Sequence, residues 1–147
     1  MSFVLELAKY PFPSFLEGRC TSTVYLKWLN LKASTILRRD KKRRKPYTLT
    51  ATVANYKEKI HNAVTAGGGC DPYTGEPLKW ELISTWDTSQ VHPDGYERKF
   101  ALLPTVDHIH QDVLEFEICS WQINKAKSDL NPAEFVELCK NVAEFRS

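Results

Sequence analysis

Four residues in one short stretch carry groups that could do chemistry together: Asp107 a carboxylate, His108 an imidazole, Asn124 an amide oxygen and Lys127 an ammonium. Hydrolysing a phosphodiester requires a nucleophilic water, a base to deprotonate it, and positive charge for the transition state and departing oxygen. Each requirement has a candidate. Asp107 and Asn124 are hard oxygen donors, which suit magnesium or manganese better than metals that prefer thiolates. The imidazole of His108 ordinarily titrates near neutrality, as a general base should. Lys127 follows Asn124 by three residues, so on a helix the two share a face and the ammonium can hold a phosphate. Neighbours on a strand point to opposite sides, so Asp107 and His108 can serve one site only if the strand ends or bends there.

The elements that must position these groups follow from periodicity. Tyr96 to His108 reads as extended chain, and Val113-Leu114-Glu115-Phe116-Glu117-Ile118 alternates apolar and acidic residues as a strand with one covered face does. A short connection, Ile109 to Asp112, makes the pair a hairpin. Trp121 to Ser128 then suits a short helix. A last helix is signalled by Asn131 as cap, Pro132 at its first position, Glu134 three residues after the cap, and Phe135, Leu138 and Val142 on one face. Upstream, Tyr10-Pro11-Phe12-Pro13 interrupts regular structure. Ser22 or Thr23 then caps a helix whose apolar positions are Tyr25, Trp28, Leu29, Ala33, Ile36 and Leu37. Pro46 closes that segment, and Thr50 opens a second helical pattern with Val53, Tyr56, Ile60 and Val64 on one face, stopped by Gly67-Gly68-Gly69. Between the glycines and the hairpin, residues 71–77 and 92–95 carry turn chemistry, and Trp80 to Ser84 reads as either a short strand or a short helix. The fold class expected is α+β, in a single domain over residues 1–147: a helical basic part over 1–66 and a hairpin–helix part over 70–147.

Composition sets limits around this reading. A chain of 147 residues with 42% hydrophobic content can bury one real core. Formal net charge is only +2, so affinity for a polyanion must come from where charge lies. It lies in Arg38, Arg39, Lys41, Lys42, Arg43, Arg44 and Lys45, seven cations in eight residues, interrupted by Asp40 alone. In isolation such a run is more often a solvated helix end or a flexible loop than a specific site, and it would also pass as a nuclear address; beside a phosphodiester site, gripping nucleic-acid backbone becomes the better reading. Cys20, Cys70, Cys119 and Cys139 form no CxxC pair, which argues against a disulfide framework or a four-cysteine zinc site and fits small buried apolar groups in a reducing, cytoplasmic setting. No run of ~18 apolar residues occurs, so no membrane partner is expected. Trp28, Trp80, Trp86 and Trp121 read as core, and His61 and His92 have no partner nearby in sequence.

The stretches Pro104-Thr105-Val106-Asp107-His108-Ile109, Phe116-Glu117-Ile118-Cys119 and Asn124-Lys125-Ala126-Lys127 together resemble the HNH, or ββα-metal, endonuclease family. The resemblance covers about Phe100 to Leu130, and weakly back to Cys70. It implies that His108 is the general base, that Asp107 and Asn124 bind one divalent ion, Mg2+ or Mn2+, that Lys127 lies near phosphate, and that the products carry 5′-phosphate and 3′-hydroxyl ends. The family's middle Asn, which pins the loop between the strands, has no match. Asp112 is the nearest polar residue, and His110 is a second group able to assist. Many relatives carry a zinc knuckle of two Cys pairs; here Cys70 and Cys119 stand near the expected places without mates, so no structural zinc is expected. The function expected is a DNA endonuclease of phage or restriction type. Its alternatives are a non-catalytic nucleic-acid-binding module of the same fold and a nuclease directed at RNA, and oligomeric state is open, with a homodimer among the options.

Overall fold

The computed structural model describes residues 2–85 and 95–147. Trp86, His92 and most of the expected turn at 92–95 lie outside them. Six helices and one two-stranded antiparallel sheet are formed by these residues, a mixed α+β architecture: α1 (Phe3–Lys9), α2 (Ser22–Lys42), α3 (Val53–Gly67), α4 (Tyr96–Lys99), β1 (Pro104–His108), β2 (Phe116–Ser120), α5 (Trp121–Lys127) and α6 (Pro132–Arg146). None of these helices is long and apolar enough to cross a membrane.

The long helix α2 buries all six apolar residues that its spacing singles out, and its cap is Thr21, whose hydroxyl accepts from the Val24 N–H at 3.1 Å. The cap thus sits one residue before Ser22 and two before Thr23, the two expected. Helix α3 is closed at its start by a reciprocal box between Thr52 and Asn55 and at its end by Gly68, whose φ of 60° is the left-handed conformation glycine adopts at little cost. Tyr56, Ile60 and Val64 are buried; Val53 is not. Helix α1, absent from the sequence expectation, is capped by Ser2 and tied to α3 by the Glu6–Lys57 ion pair at 3.1 Å. One core joins the helices to the hairpin: Tyr25, Leu29, Tyr56 and Ile60 belong to the same buried cluster as Leu78, Trp80, Val106, Phe116 and Ile118. Burial of those aromatic and branched side chains, each worth roughly 1.5–3 kcal/mol when taken fully from water, fixes the sheet on the helical layer.

Two sequence expectations are corrected here, and one left open between strand and helix is decided for helix. Tyr96 to Leu103 is not extended: Gly95, at φ 82°, starts the single turn α4, and Tyr96, Phe100 and Leu103 fold into a second small buried cluster against Trp121. The strand begins only at Pro104. Val113 to Glu115 belongs to the connection, so the hairpin loop spans 109–115 rather than four residues, because Ile109 N–H reaches the Glu115 carbonyl at 3.3 Å and no ladder bond forms in between. Trp80 to Leu82 is one turn of 3-10 helix.

The last helix forms as its capping box dictates, Asn131 and Glu134 each accepting the other's backbone N–H. Its apolar face, however, is mostly wet: Phe135 is buried against Tyr73, whereas Leu138, Val142 and Phe145 are exposed. Among the cysteines, Cys119 is buried, Cys20 and Cys70 are half-buried, and Cys139 on α6 is exposed, contrary to its reading as a buried group.

Candidate active site

Register decides what each face of the hairpin sees. Pro104 pairs with Ser120, Val106 with Ile118 and His108 with Phe116, while Thr105 pairs with Cys119 and Asp107 with Glu117. Directly paired residues share a face. Val106, Phe116 and Ile118 therefore enter the core with α2 and α3, and His108 leaves on that side. Thr105, Asp107, Glu117 and Cys119 lie on the opposite side with the buried Lys127 of α5. The strand neither bends nor ends between Asp107 and His108, so the two point apart. They nevertheless line one cavity of about 500 Å³, which wraps the end of β1 and is bordered by Arg39, Arg43 and Lys45 on one flank and by Asn124, Lys127 and residues 128–131 on the other. β1 pairs with no second strand among the described residues, and an open strand edge is what lets both faces reach the same space.

On the α2 side, His108 Nε2 lies 2.8 Å from Oδ2 of Asp40, and the Tyr56 hydroxyl donates to that same oxygen at 2.7 Å. Asp40 is the acid inside the cationic run, and its side chain is fully buried. Burial alone would push its carboxyl up; the hydrogen bonds from His108 and Tyr56, with the nearby charge of Arg39, outweigh that and hold it below the usual carboxylate range. The half-buried Tyr47, whose hydroxyl oxygen is covered, is pushed up to about 12 by desolvation and by Asp40. The His108 ring also meets Phe116 edge to face at 5.0 Å. Its Nδ1 makes no hydrogen bond among the described residues.

On the α5 side, the Lys127 ammonium stands 3.1 Å from Asp107 Oδ2 and also donates to the Leu130 carbonyl. Lys127 is only 2% exposed, so its charge is turned inward. The ammonium lies off the directions of a good hydrogen bond to Asp107, and Oδ2 is left buried without an aligned donor. Burial pushes the Asp107 carboxyl above its ordinary range against the pull of Lys127. Its cross-strand neighbour Glu117 is likewise raised, first by burial, and accepts from the Tyr73 hydroxyl at 3.2 Å.

Helix α5 is aimed at the cavity by its own start. Ser120 caps it, accepting from Ile123 N–H at 3.1 Å; Trp121 and Gln122 N–H donate to the Leu103 and Ala101 carbonyls. Asp71 adds a clasp that sequence reading passed over as turn chemistry: Oδ1 accepts from Tyr73 and Thr74 N–H at 2.7 and 2.8 Å, and Oδ2 accepts from Ser120 N–H at 2.7 Å. One buried carboxylate thus holds the 71–77 turn to the β2–α5 junction, near where Cys70 and Cys119 stand.

The basic run divides. Arg39 and Arg43, four apart on α2, line the cavity with Lys45, whereas Arg38, Lys41, Lys42 and Arg44 are exposed and do not line it. Arg44 adopts φ 54°; Lys45 N–H bonds the Asp40 carbonyl and Arg44 N–H that of Lys41, both at 3.1 Å, the paired bonds of a Schellman ending with arginine where glycine is usual. That turn swings Lys45 back so that Nζ donates to Gln111 in the hairpin loop at 2.8 Å. His110 also lines the cavity and pairs with Glu115 at 3.2 Å, both exposed; Asp112 is exposed in the loop and does not line it.

As a seat for a divalent ion, the cavity is lined by Asp107, whose Oδ2 is buried beside Lys127 without an aligned donor, and by Asn124, to whose side chain no hydrogen bond occurs among the described residues. Two hard donors fit an ion that keeps several of its waters. No group of three His, Cys, Asp or Glu side chains able to hold a metal occurs among the described residues. His61, expected to be isolated, is buried and bonded through Nδ1 to the Tyr25 hydroxyl at 2.7 Å, inside the helical core rather than at the cavity. Compared with models of protein families, with curated proteins and with solved structures, the chain matches none.

Proposed function

We propose that this chain is a metal-dependent endonuclease that hydrolyses DNA phosphodiester bonds. The observation that carries the reading is the meeting of Asp107, His108, Asn124 and Lys127 with Arg39, Arg43 and Lys45 around one cavity, although the two groups lie some sixty residues or more apart in sequence. The order strand, strand, helix and the residues on it resemble the HNH family, which supports the same assignment. In this reading Asp107 and Asn124 hold one Mg2+ or Mn2+, which supplies Lewis-acid stabilisation of the transition state and the leaving oxygen. His108 takes the proton from the attacking water. Arg39 and Arg43 grip phosphate with planar forks that match its oxygens, and Lys45 adds a point charge beside them. Lys127 holds the Asp107 carboxylate ready in the absence of the ion.

A supercoiled plasmid incubated with the protein and Mg2+ or Mn2+ tests this. Nicking that needs the metal and falls at least ~10²-fold in His108→Ala, the share a general base contributes, supports the enzyme. One observation favours the second reading, a binding module without cleavage: Asp107 already has its charge partner in Lys127. Plasmid binding with no nicking under either metal selects that module, and cleavage of RNA but not DNA moves the substrate to RNA.

A further inference from the structure

Asp40 is the one acid in a run of seven cations, and it is the residue of that run whose side chain is fully buried. A solvated basic patch has no use for it. Its Oδ2 receives two neighbours, Tyr56 Oη at 2.7 Å and His108 Nε2 at 2.8 Å, 16 and 68 residues away in sequence. An ionised carboxylate is an acceptor only, and a neutral imidazole has one N–H and one lone pair. If the proton sat on Nδ1, two lone pairs would face each other at 2.8 Å in a buried setting. With the proton on Nε2 the contact becomes a charge-assisted hydrogen bond, and the bare nitrogen is Nδ1, on the edge of the ring away from Asp40. His108 is 24% exposed and lines the cavity, while Asp40 is fully covered, so the open edge of the ring is the one not engaged with the carboxylate.

We propose that Asp40 is a positioning residue which fixes His108 in the Nε2-protonated tautomer and so presents the Nδ1 lone pair to the cavity, with Tyr56 holding the carboxylate in place. The catalytic consequence rests on the nuclease reading; the tautomer does not. Where the resemblance lacks an Asn to pin the hairpin loop, the general base is oriented from α2 instead, which also makes the register of α2 against β1 a condition for activity. The same helix brings Arg39 and Arg43 to the cavity on either side of Asp40, so the base and the phosphate grip are set by one rigid element.

The test reads the ring directly, in metal-free protein, by long-range ¹H–¹⁵N spectra of the histidine-labelled chain at neutral pH, with the His108 signals assigned by their loss in His108→Ala. For the neutral form of the ring, followed as pH is raised, the expected pattern is protonation on Nε2. A neutral ring protonated on Nδ1 overturns the proposal without any activity measurement. In Asp40→Asn the amide can donate to Nε2, so the pattern should move toward protonation on Nδ1, and plasmid cleavage should fall by about 10²–10⁴-fold, as when the orienting aspartate of a serine protease triad is made asparagine, with DNA affinity changed less than twofold. An unmoved pattern, or a loss confined to affinity, also overturns it. Should Asp40→Asn fail to fold, Tyr56→Phe keeps the measurement open: the Nε2 pattern should persist and cleavage drop by no more than ~10-fold, the scale of one hydrogen bond. Wild-type protein showing the Nε2 pattern but no cleavage upholds the Asp40–His108 pairing and rejects the nuclease reading, so the two fail separately.

Discussion

Asp40 on α2 and Asp107 on β1 are both buried aspartates beside the end of that strand, one bonded to His108 and the other paired with Lys127, yet their environments act in opposite directions. On the α2 side, Asp40 accepts from an imidazole and a phenol and is held ionised. On the α5 side, Asp107 has a cation at 3.1 Å but an oxygen without an aligned donor, and burial pushes its carboxyl toward the neutral form. Asp40 gathers both of its contacts, the phenol and the imidazole, on Oδ2 while Oδ1 is buried without a partner among the described residues, and a carboxylate held in this way is suited to orienting the ring beside it. Asp107 has its cation, Lys127, but no aligned hydrogen bond to Oδ2, so an ion would have to compete with that ammonium for the carboxylate. The difference teaches that adjacent residues of one strand can meet unlike surroundings: His108 and Asp107 leave on opposite faces of the hairpin, and the open edge of β1 returns both to one cavity.

The largest expected effect breaks the α5 side. Lys127→Met leaves Asp107 buried without its cation, a change of the kind that costs about 3–5 kcal/mol; urea unfolding at neutral pH should show it, and the cost should shrink in acid, where the carboxyl is neutral. A stability change below ~1 kcal/mol would mean that Asp107 is better solvated than its burial indicates. Next, linkage gives the two sides opposite pH slopes. Asp40 has a depressed folded pKa, so its contribution is present above the unfolded carboxyl range and is lost as pH falls through the folded value. Asp107 has a raised folded pKa, so its contribution falls as pH rises between the unfolded and folded values. Asp40→Asn should therefore flatten the acid limb of the urea midpoint against pH, whereas Asp107→Asn should not; equal slopes in both variants would erase the distinction.

Smaller effects sharpen the division of the basic run. Arg39→Ala or Arg43→Ala should lower cleavage as well as binding, while Arg38→Ala or Lys42→Ala should lower binding alone. Each phosphate contact removed should reduce the slope of log affinity against log salt by about one, read by fluorescence anisotropy. Smallest of all, Arg44→Gly relieves a left-handed arginine at the end of α2 and should raise stability by up to ~1 kcal/mol, with the urea midpoint as readout. If cleavage also rises or falls severalfold, the turn that aims Lys45 at Gln111 is part of the site's geometry.

Helices α2, α3 and α6 were legible because periodic apolar positions and capping residues are local signals, and so were the residues that line the cavity from β1 and α5. What escaped was non-local. Asp40 stands out in sequence as the sole acid of the cationic run, but nothing near it names its partners; only the fold brings His108 and Tyr56 to it. The clasp of Asp71 was hidden for the same reason, since its third donor, Ser120, is 49 residues away. Period-two alternation misled at Val113 to Glu115, where the pattern continues past the last ladder bond. Apolar richness misled at Tyr96 to Leu103, where Gly95 starts a helical turn that hydrophobicity cannot distinguish from a strand. In α6 the stripe was read correctly and its burial was not, because amphipathicity states that a face is apolar and leaves open what covers it.

The Asp71 clasp has a kinetic corollary. Because one side chain shields the amides of Tyr73, Thr74 and Ser120, these three should become accessible to solvent deuterium in the same opening event, at one common rate, although they belong to separate stretches of the chain. The platform on which α5 stands would then loosen as a unit rather than fray from its ends.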